Sequence, residues 1–323
     1  MKRLFSLGVM MLCVLVVVVG CSAPAAQEAG SIRIGVVQIA DHAALNSARD
    51  GFMDVLAESE IAERVVYDLQ NAQGDQSTGQ AIARKFASDQ VDLILAIATP
   101  VAQAVANVTT EIPILITAVT DPVAAGLAES LERPGGNITG TTDMNPVSQQ
   151  VEMITKLVPG VSKLGIIYNS GETNSLVQVE LARAAAQQLQ LELLEATVSS
   201  TNDVMQATQS LIDRVDALYI PTDNTVVSAI SAVLGVANPA KVPVVVSNAE
   251  LVENGALAAF GLDYYQLGRQ TGAIALRIIA GKSPADIPIE GQSEYKLVIN
   301  GAVAAGFGLQ IPEDLLNEAT IIE

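Results

Sequence analysis

"VDLILAIATP" (Val91–Pro100) decides the fold, because "VDALYIPTDN" (Val215–Asn224) repeats its plan further along the chain. Each stretch opens Val-Asp, runs through an apolar body and ends in a small polar loop containing Thr. A short apolar run bounded by turn residues reads as a buried strand. The two endings differ in charge: Thr99–Pro100 is neutral, whereas Asp223 is acidic.

The surroundings repeat as well. "IRIGVVQI" (Ile32–Ile39) reads as a strand, and Leu45, Ala48, Phe52 and Val55 then fall at helical spacing. "RVVYDLQ" (Arg64–Gln70) is the next strand and "STGQAIARKFASD" (Ser77–Asp89) the next helix. The first copy follows, then a short helix and the strand "IPILITAV" (Ile112–Val119). The order restarts with "KLGIIYN" (Lys163–Asn169), a helix over 175–189 and the strand "LELLEATV" (Leu191–Val198). A helix over 202–214, the second copy, a further helix and "KVPVVVSNAE" (Lys241–Glu250) complete it. Gly35 and Gly165 are 130 positions apart, Asp92 and Asp216 are 124, and Pro113 and Pro243 are 130. Alternating strands and helices imply parallel strands with right-handed crossovers. Three landmarks in one order imply an α/β chain of two similarly built lobes.

Ligands of open parallel sheets sit beyond the carboxyl ends of the strands. Two facing lobes therefore place two sets of strand ends around one cleft, a common setting for small molecules. "RPGGNITGTTDMNP" (Arg133–Pro146) reads as a loop and extended crossover. Within "GALAAFGLDYYQLGRQ" and beyond, 265–279 reads as a helix returning to the first lobe, and "SPADIPIE" (Ser283–Glu290) as another connection. Several crossings make a hinge.

The strand–loop junctions supply the candidate contacts. Thr99, followed by Pro100, stands near a helix N-cap, where a hydroxyl and free N–H groups suit a carboxylate. Plain capping is the competing reading. Thr120 and Asp121 follow the next strand, and Asp121 suits either an ammonium or a turn cap. Asn174 and Ser175 precede a helix and suit either a ligand or capping. Asp223 is the strongest candidate, because a carboxylate in a cleft pairs with an ammonium better than one on a wet surface. Capping of the helix after it is the alternative. Gln38 and His42 lie at the first junction. His42 is the only histidine, and it stands beside Asp41. Neighbours in sequence seldom point at each other, so a pocket wall or cap is preferred to catalysis. Phe260, Tyr264 and Tyr265 either wall an apolar pocket or pack the hinge. A hydroxyl-and-amide site in one lobe and a carboxylate in the other fit a small zwitterion.

Bulk properties narrow the function class. The formal net charge of -18 disfavours nucleic acid and anionic surfaces as partners. "MKR" followed by an uncharged run to Gly20 reads as a secretory signal, and it stops at Cys21. "VVGC" resembles the bacterial lipoprotein box, with lipid attached to Cys21; an uncleaved anchor is the competing reading. "SAPAAQEAG" (Ser22–Gly30) reads as a tether. With Cys13 inside the signal, the folded part has no thiol for a disulfide or metal site. Phosphate-loop, dinucleotide-loop and nucleophile-elbow motifs are absent from the sequence, and one histidine supports no His-based metal motif. No cofactor, metal or enzymatic activity is expected.

From Ile32 to Glu323 the chain resembles the ABC-transporter substrate-binding lipoproteins of the tryptophan/tyrosine-binding type. The residues carrying the resemblance are "NAQGDQST" (Asn71–Thr78), "DLILAIATP" (Asp92–Pro100), "TAVTDPVAAGL" (Thr117–Leu127), "PGGNITG" (Pro134–Gly140), "YNSGETNS" (Tyr168–Ser175), "YIPTDNTVVSA" (Tyr219–Ala229) and "GLDYYQLGRQT" (Gly261–Thr271). The resemblance implies a type I periplasmic-binding fold, with two Rossmann-like lobes, three crossovers and a ligand between them. It implies an amino-acid ligand touched by Thr99 and its loop, Asp121, Asn174, Ser175 and Asp223, with Gln38 and His42 as further wall. It also implies delivery to an ABC permease and its ATPase from an extracytoplasmic, lipid-anchored and monomeric protein. A lipoprotein that reports a ligand to a membrane receptor is the alternative. The expected division is a signal at 1–20 and a tether at 21–31, then a first lobe at 32–138 plus 264–291. The second lobe takes 139–263 plus 292–323.

Overall fold

The structure, a computed structural model, describes residues 30–323. The expected signal, the lipidated Cys21 and nearly all of the tether lie outside the described residues. Ser31–Glu323 forms one compact unit. Among the described residues no helix is long and apolar enough to cross a membrane.

The first lobe starts with strand β1 (Ile32–Gln38), helix α1 (Ala43–Ala57), β2 (Val65–Asn71) and α2 (Gln76–Asp89). It continues with β3 (Leu93–Ile97), α3 (Thr99–Ala106), β4 (Ile114–Val119) and β5 (Ile138–Thr142). The second lobe follows with α4 (Val147–Leu157), β6 (Lys163–Asn169), α5 (Thr173–Gln188), β7 (Glu192–Val198) and α6 (Val204–Ile212). Then come β8 (Ala217–Ile220), α7 (Asn224–Ser228), α8 (Ile230–Ala237), β9 (Val244–Val246) and β10 (Ala258–Gly261). Helix α9 (Tyr264–Ile279) and β11 (Glu290–Gly291) return to the first lobe. The chain ends in the second lobe with β12 (Lys296–Asn300), α10 (Gly301–Phe307), α11 (Glu313–Glu318) and β13 (Thr320–Ile322).

The first sheet has the order β11-β5-β4-β3-β1-β2 and the second β13-β12-β10-β9-β8-β6-β7. Every pairing is parallel except β10 with β12. Three connections cross between lobes, after β5, β10 and β11. The expected boundary at 138/139 cuts β5, which pairs with β4 from Ile138 to Thr142, so the first sheet extends to Thr142. Its threonines read as loop, but their hydroxyls are satisfied inside. Thr139 donates to the Ile287 carbonyl, and Thr141 bonds both Thr117 and Thr271.

The shared Val-Asp start now has a physical role. The Asp92 carboxylate accepts from the Arg33 N–H at 2.7 Å, tying the start of β3 to β1. Asp216 accepts from the N–H groups of Ser162 and Lys163, both at 2.8 Å, tying β8 to β6. The repeated glycines serve packing. A Cβ on Gly35 would lie 2.8 Å from the Phe86 ring of α2, and one on Gly165 would lie 2.6 Å from Leu218. Each lobe buries its own aliphatic core against its sheet.

Candidate functional site

The carboxyl ends of the two sheets meet around a narrow cavity. His42 and Leu45 of α1, Ala118 and Thr120 line it from the first lobe. Asn174, Thr222, Asp223, Asn224, Val227 and Asn248 line it from the second. Asp143 and Tyr264, on the first two crossings, complete the wall.

Asp223 is the N-cap of α7 and is almost fully buried. Oδ1 accepts from the Val226 N–H at 2.7 Å, and Oδ2 accepts from the Asn169 N–H and the Ser175 hydroxyl, each at 2.6 Å. A carboxylate has about four acceptor positions. Three are taken, so one remains. Burial, and then the nearby Glu172 charge, push its pKa up. Glu172, also buried, accepts from the backbone and side chains of Asn224 and Thr225 as well as from Asn174. Its acceptor positions are filled, so it anchors α7 rather than facing a ligand. Capping and cleft lining therefore coexist at Asp223.

One face of α5 holds the Asp223 loop. Asn174 Nδ2 donates to the Thr222 carbonyl at 2.9 Å, Ser175 bonds Asp223, and Gln178 both donates to and accepts from the Thr222 backbone. Ser175 stands behind the cavity as a support. Asn174 lines it, and its Oδ1 is buried without a partner.

Asp143, which the sequence reading left inside a crossover, is fully buried. Oδ1 accepts from the Thr120 hydroxyl at 3.0 Å and Oδ2 from the Tyr264 hydroxyl at 2.7 Å. Two acceptor positions stay open. Burial raises its pKa. Among the lining residues none is Lys or Arg. The site is thus two buried carboxylates with spare acceptor capacity and no protein cation, which costs free energy until a cation arrives.

Two first-lobe candidates, Gln38 and Thr99, are not among the residues lining the cavity, but each keeps an unpartnered polar atom. Gln38 donates to the Ala40 carbonyl and to Asn46, leaving its Oε1 buried and unpaired. Thr99 Oγ1 is likewise buried and unpaired. Helix α3 begins with Thr99, so its cap position is Ala98, one residue earlier than the capping pattern suggests. Ala98 takes φ 88 and Ala118 takes φ 54, a left-handed region costly for a side-chain-bearing residue. Both lie at carboxyl ends of strands, and Ala118 lines the cavity. Pro100 lines an outer groove between the lobes, beyond the cavity.

Asp121, Asp41, Phe260 and Tyr265 fall elsewhere. Asp121 caps its own turn by accepting from the Val123 and Ala124 N–H groups, and does not line the cavity. Asp41 accepts from Asn46 rather than meeting His42, whose two ring nitrogens have no partner, so no dyad forms. Of the aromatic cluster only Tyr264 reaches the cavity. Phe260 packs on Tyr295, and the Tyr265 hydroxyl donates to Asp54 of α1. Asp143, Glu172, Thr222, Asn224 and Asn248 were not singled out from the sequence. Glu172, Thr222, Asn224 and Asn248 fall within the strand–loop junctions 169–175, 221–224 and 247–250 that the sequence offers as candidate contacts, whereas Asp143, inside a crossover, carries no such signal.

The family model for ABC transporter substrate binding proteins matches residues 33–322. A tyrosine-binding protein of Clostridioides difficile (strain R20291) is 44% identical over 269 residues, spanning 83% of this chain and 78% of the relative. The crystal structure of an ABC domain in complex with L-Trp from Streptococcus pneumoniae is 37% identical, with a TM-score of 0.88, covering 91% of this chain and 100% of that one. The ligand-free, open structure of a substrate-binding protein with adhesive properties from Clostridium difficile is 39% identical, with a TM-score of 0.68, covering 90% and 99%. At similar identity, the fold superposes more closely on the tryptophan-bound relative than on the open one. The chain belongs to the family of ABC transporter substrate-binding proteins.

Proposed function

We propose that this substrate-binding protein takes an aromatic α-amino acid between its lobes and delivers it to an ABC permease driven by an ATPase. It works outside the cytoplasm as a monomer held to the membrane by lipid on Cys21. The observation carrying the reading is the pair Asp143 and Asp223: buried, lining one cavity, with acceptor positions open and no Lys or Arg beside them. A ligand ammonium supplies the missing cation, and charge-assisted hydrogen bonds of this kind are about twice as strong as neutral ones. Thr99 stands outside the residues lining the cavity, but its buried unpaired hydroxyl at the start of α3 is of a kind that suits a ligand carboxylate. The names of the relatives, tyrosine-binding and L-Trp-bound, support the aromatic side chain.

The test is a thermal-unfolding screen of the purified protein against the amino acids. A ligand at about 100 times its Kd stabilises by ~2.7 kcal/mol. Tyrosine or tryptophan should head the ranking. A flat response to every amino acid would sink the reading.

A further inference from the structure

His42 holds the N-cap position of α1 with extended backbone, yet its side chain makes no capping bond. Both ring nitrogens are shut away from solvent without a hydrogen-bond partner, and the ring lines the cavity. Burial drives the imidazole pKa down to about 4, against the opposing pull of the adjacent Asn224 side chain, which stands outside hydrogen-bonding geometry, and of the Asp41 charge. The ring is therefore neutral at ordinary pH and offers one donor and one acceptor. It is a poor partner for a carboxylate and a good one for a neutral polar group.

Its neighbours say which part of a ligand it meets. Leu45 lies three residues on, on the same face of α1. Across the cavity, Asn224 and Val227 repeat that spacing on α7. Each lobe thus presents one polar side chain with an aliphatic one a turn away. With Ala118, these are the apolar members of the wall. The open carboxylate positions belong to Asp143 and Asp223.

We propose that His42 determines specificity by hydrogen-bonding a polar atom at the tip of an aromatic side chain, a phenolic hydroxyl or an indole N–H. This rests on the amino-acid reading above. Sites built to bond a substrate hydroxyl reject the analogue lacking it strongly, because a buried polar group is then left unpaired.

Calorimetric titration of the purified protein with L-tyrosine and L-phenylalanine tests it, for the natural chain and for His42→Leu and His42→Asn. The natural chain should prefer tyrosine by at least ~100-fold. His42→Leu should bring the two ligands within ~5-fold while leaving phenylalanine binding no weaker, and His42→Asn should restore part of the preference. An undiminished tyrosine preference in a folded His42→Leu variant overturns the proposal. Equal weakening of both ligands also overturns it, because that marks a wall without selectivity. Failure of the natural chain to bind any amino acid overturns the underlying reading instead, and is seen before any variant is made.

Discussion

Asp223 stands under two opposed demands. Three hydrogen bonds and the start of α7 favour its charge, while burial and Glu172 oppose it, and the opposing effects win. A folded-state pKa raised above the ordinary ~3.9 means that the free protein keeps a proton there over a window above that value. The stability gained from that protonation is present at low pH and lost as pH rises through the window. Asp143 has the same sign. An arriving ammonium drives the proton off, so binding releases protons and affinity rises with pH. Between pH ~8 and ~5 the affinity for the amino acid should therefore fall. Titrations near pH ~6 in buffers of different ionisation enthalpy should count up to about one released proton per ligand. Affinity and proton count that stay flat across this range would contradict the assignment. His42, neutral down to about 4, does not contribute there. Asp223 was legible in the sequence because the repeat made its charge stand out. Asp143 was not, since a crossover has no period and its partners Thr120 and Tyr264 lie far off in sequence.

Elements with a strong hydrophobic period were legible to within a few residues: β1, β3, β6, α2 and α5. Strands without such a period were hidden. β5 is mostly Thr and Gly, buried by side-chain hydrogen bonding, and β10 is the short run Ala-Ala-Phe-Gly that reads as linker. The Lys241–Glu250 run shrinks to a three-residue β9, because its polar end turns into the cleft around Asn248. The return of α9 to the first lobe depends on glycines that pattern reading passes over. A Cβ on Gly268 would lie 1.9 Å from the Ala48 carbonyl oxygen, and one on Gly51 would lie 2.1 Å from that of Tyr265. Backbone cannot swing aside as a side chain can, so α1 and α9 must separate. Gly268→Ala should cost about 1–3 kcal/mol in urea unfolding. It should also weaken ligand binding, because α1 carries His42 and α9 carries Tyr264. An unchanged unfolding midpoint would show that the close approach is dispensable.

For the whole molecule, the duplicated strand order announced two lobes and a cleft before any contact was known. The C-terminal strands β12 and β13, which complete the second sheet, have no counterpart in the first half and left no repeat to read. The lobe disposition also lay beyond sequence reading. The fold superposes more closely on the tryptophan-bound relative than on the open one, at TM-scores of 0.88 and 0.68. The two carboxylates lie buried in the wall between the lobes, where charge is costly unless paired. On the function proposed above, the lobes meet favourably when a ligand ammonium neutralises the wall they form. Removing the ammonium from an otherwise identical ligand tests this most directly. Calorimetric titration with L-tyrosine and with its deaminated analogue, 3-(4-hydroxyphenyl)propanoate, should give saturable one-to-one binding for the first. The second should bind at least ~30-fold more weakly, the ~2 kcal/mol expected when a buried charge loses its partner. Equal affinity for the two would contradict the claim that buried carboxylates hold the ligand.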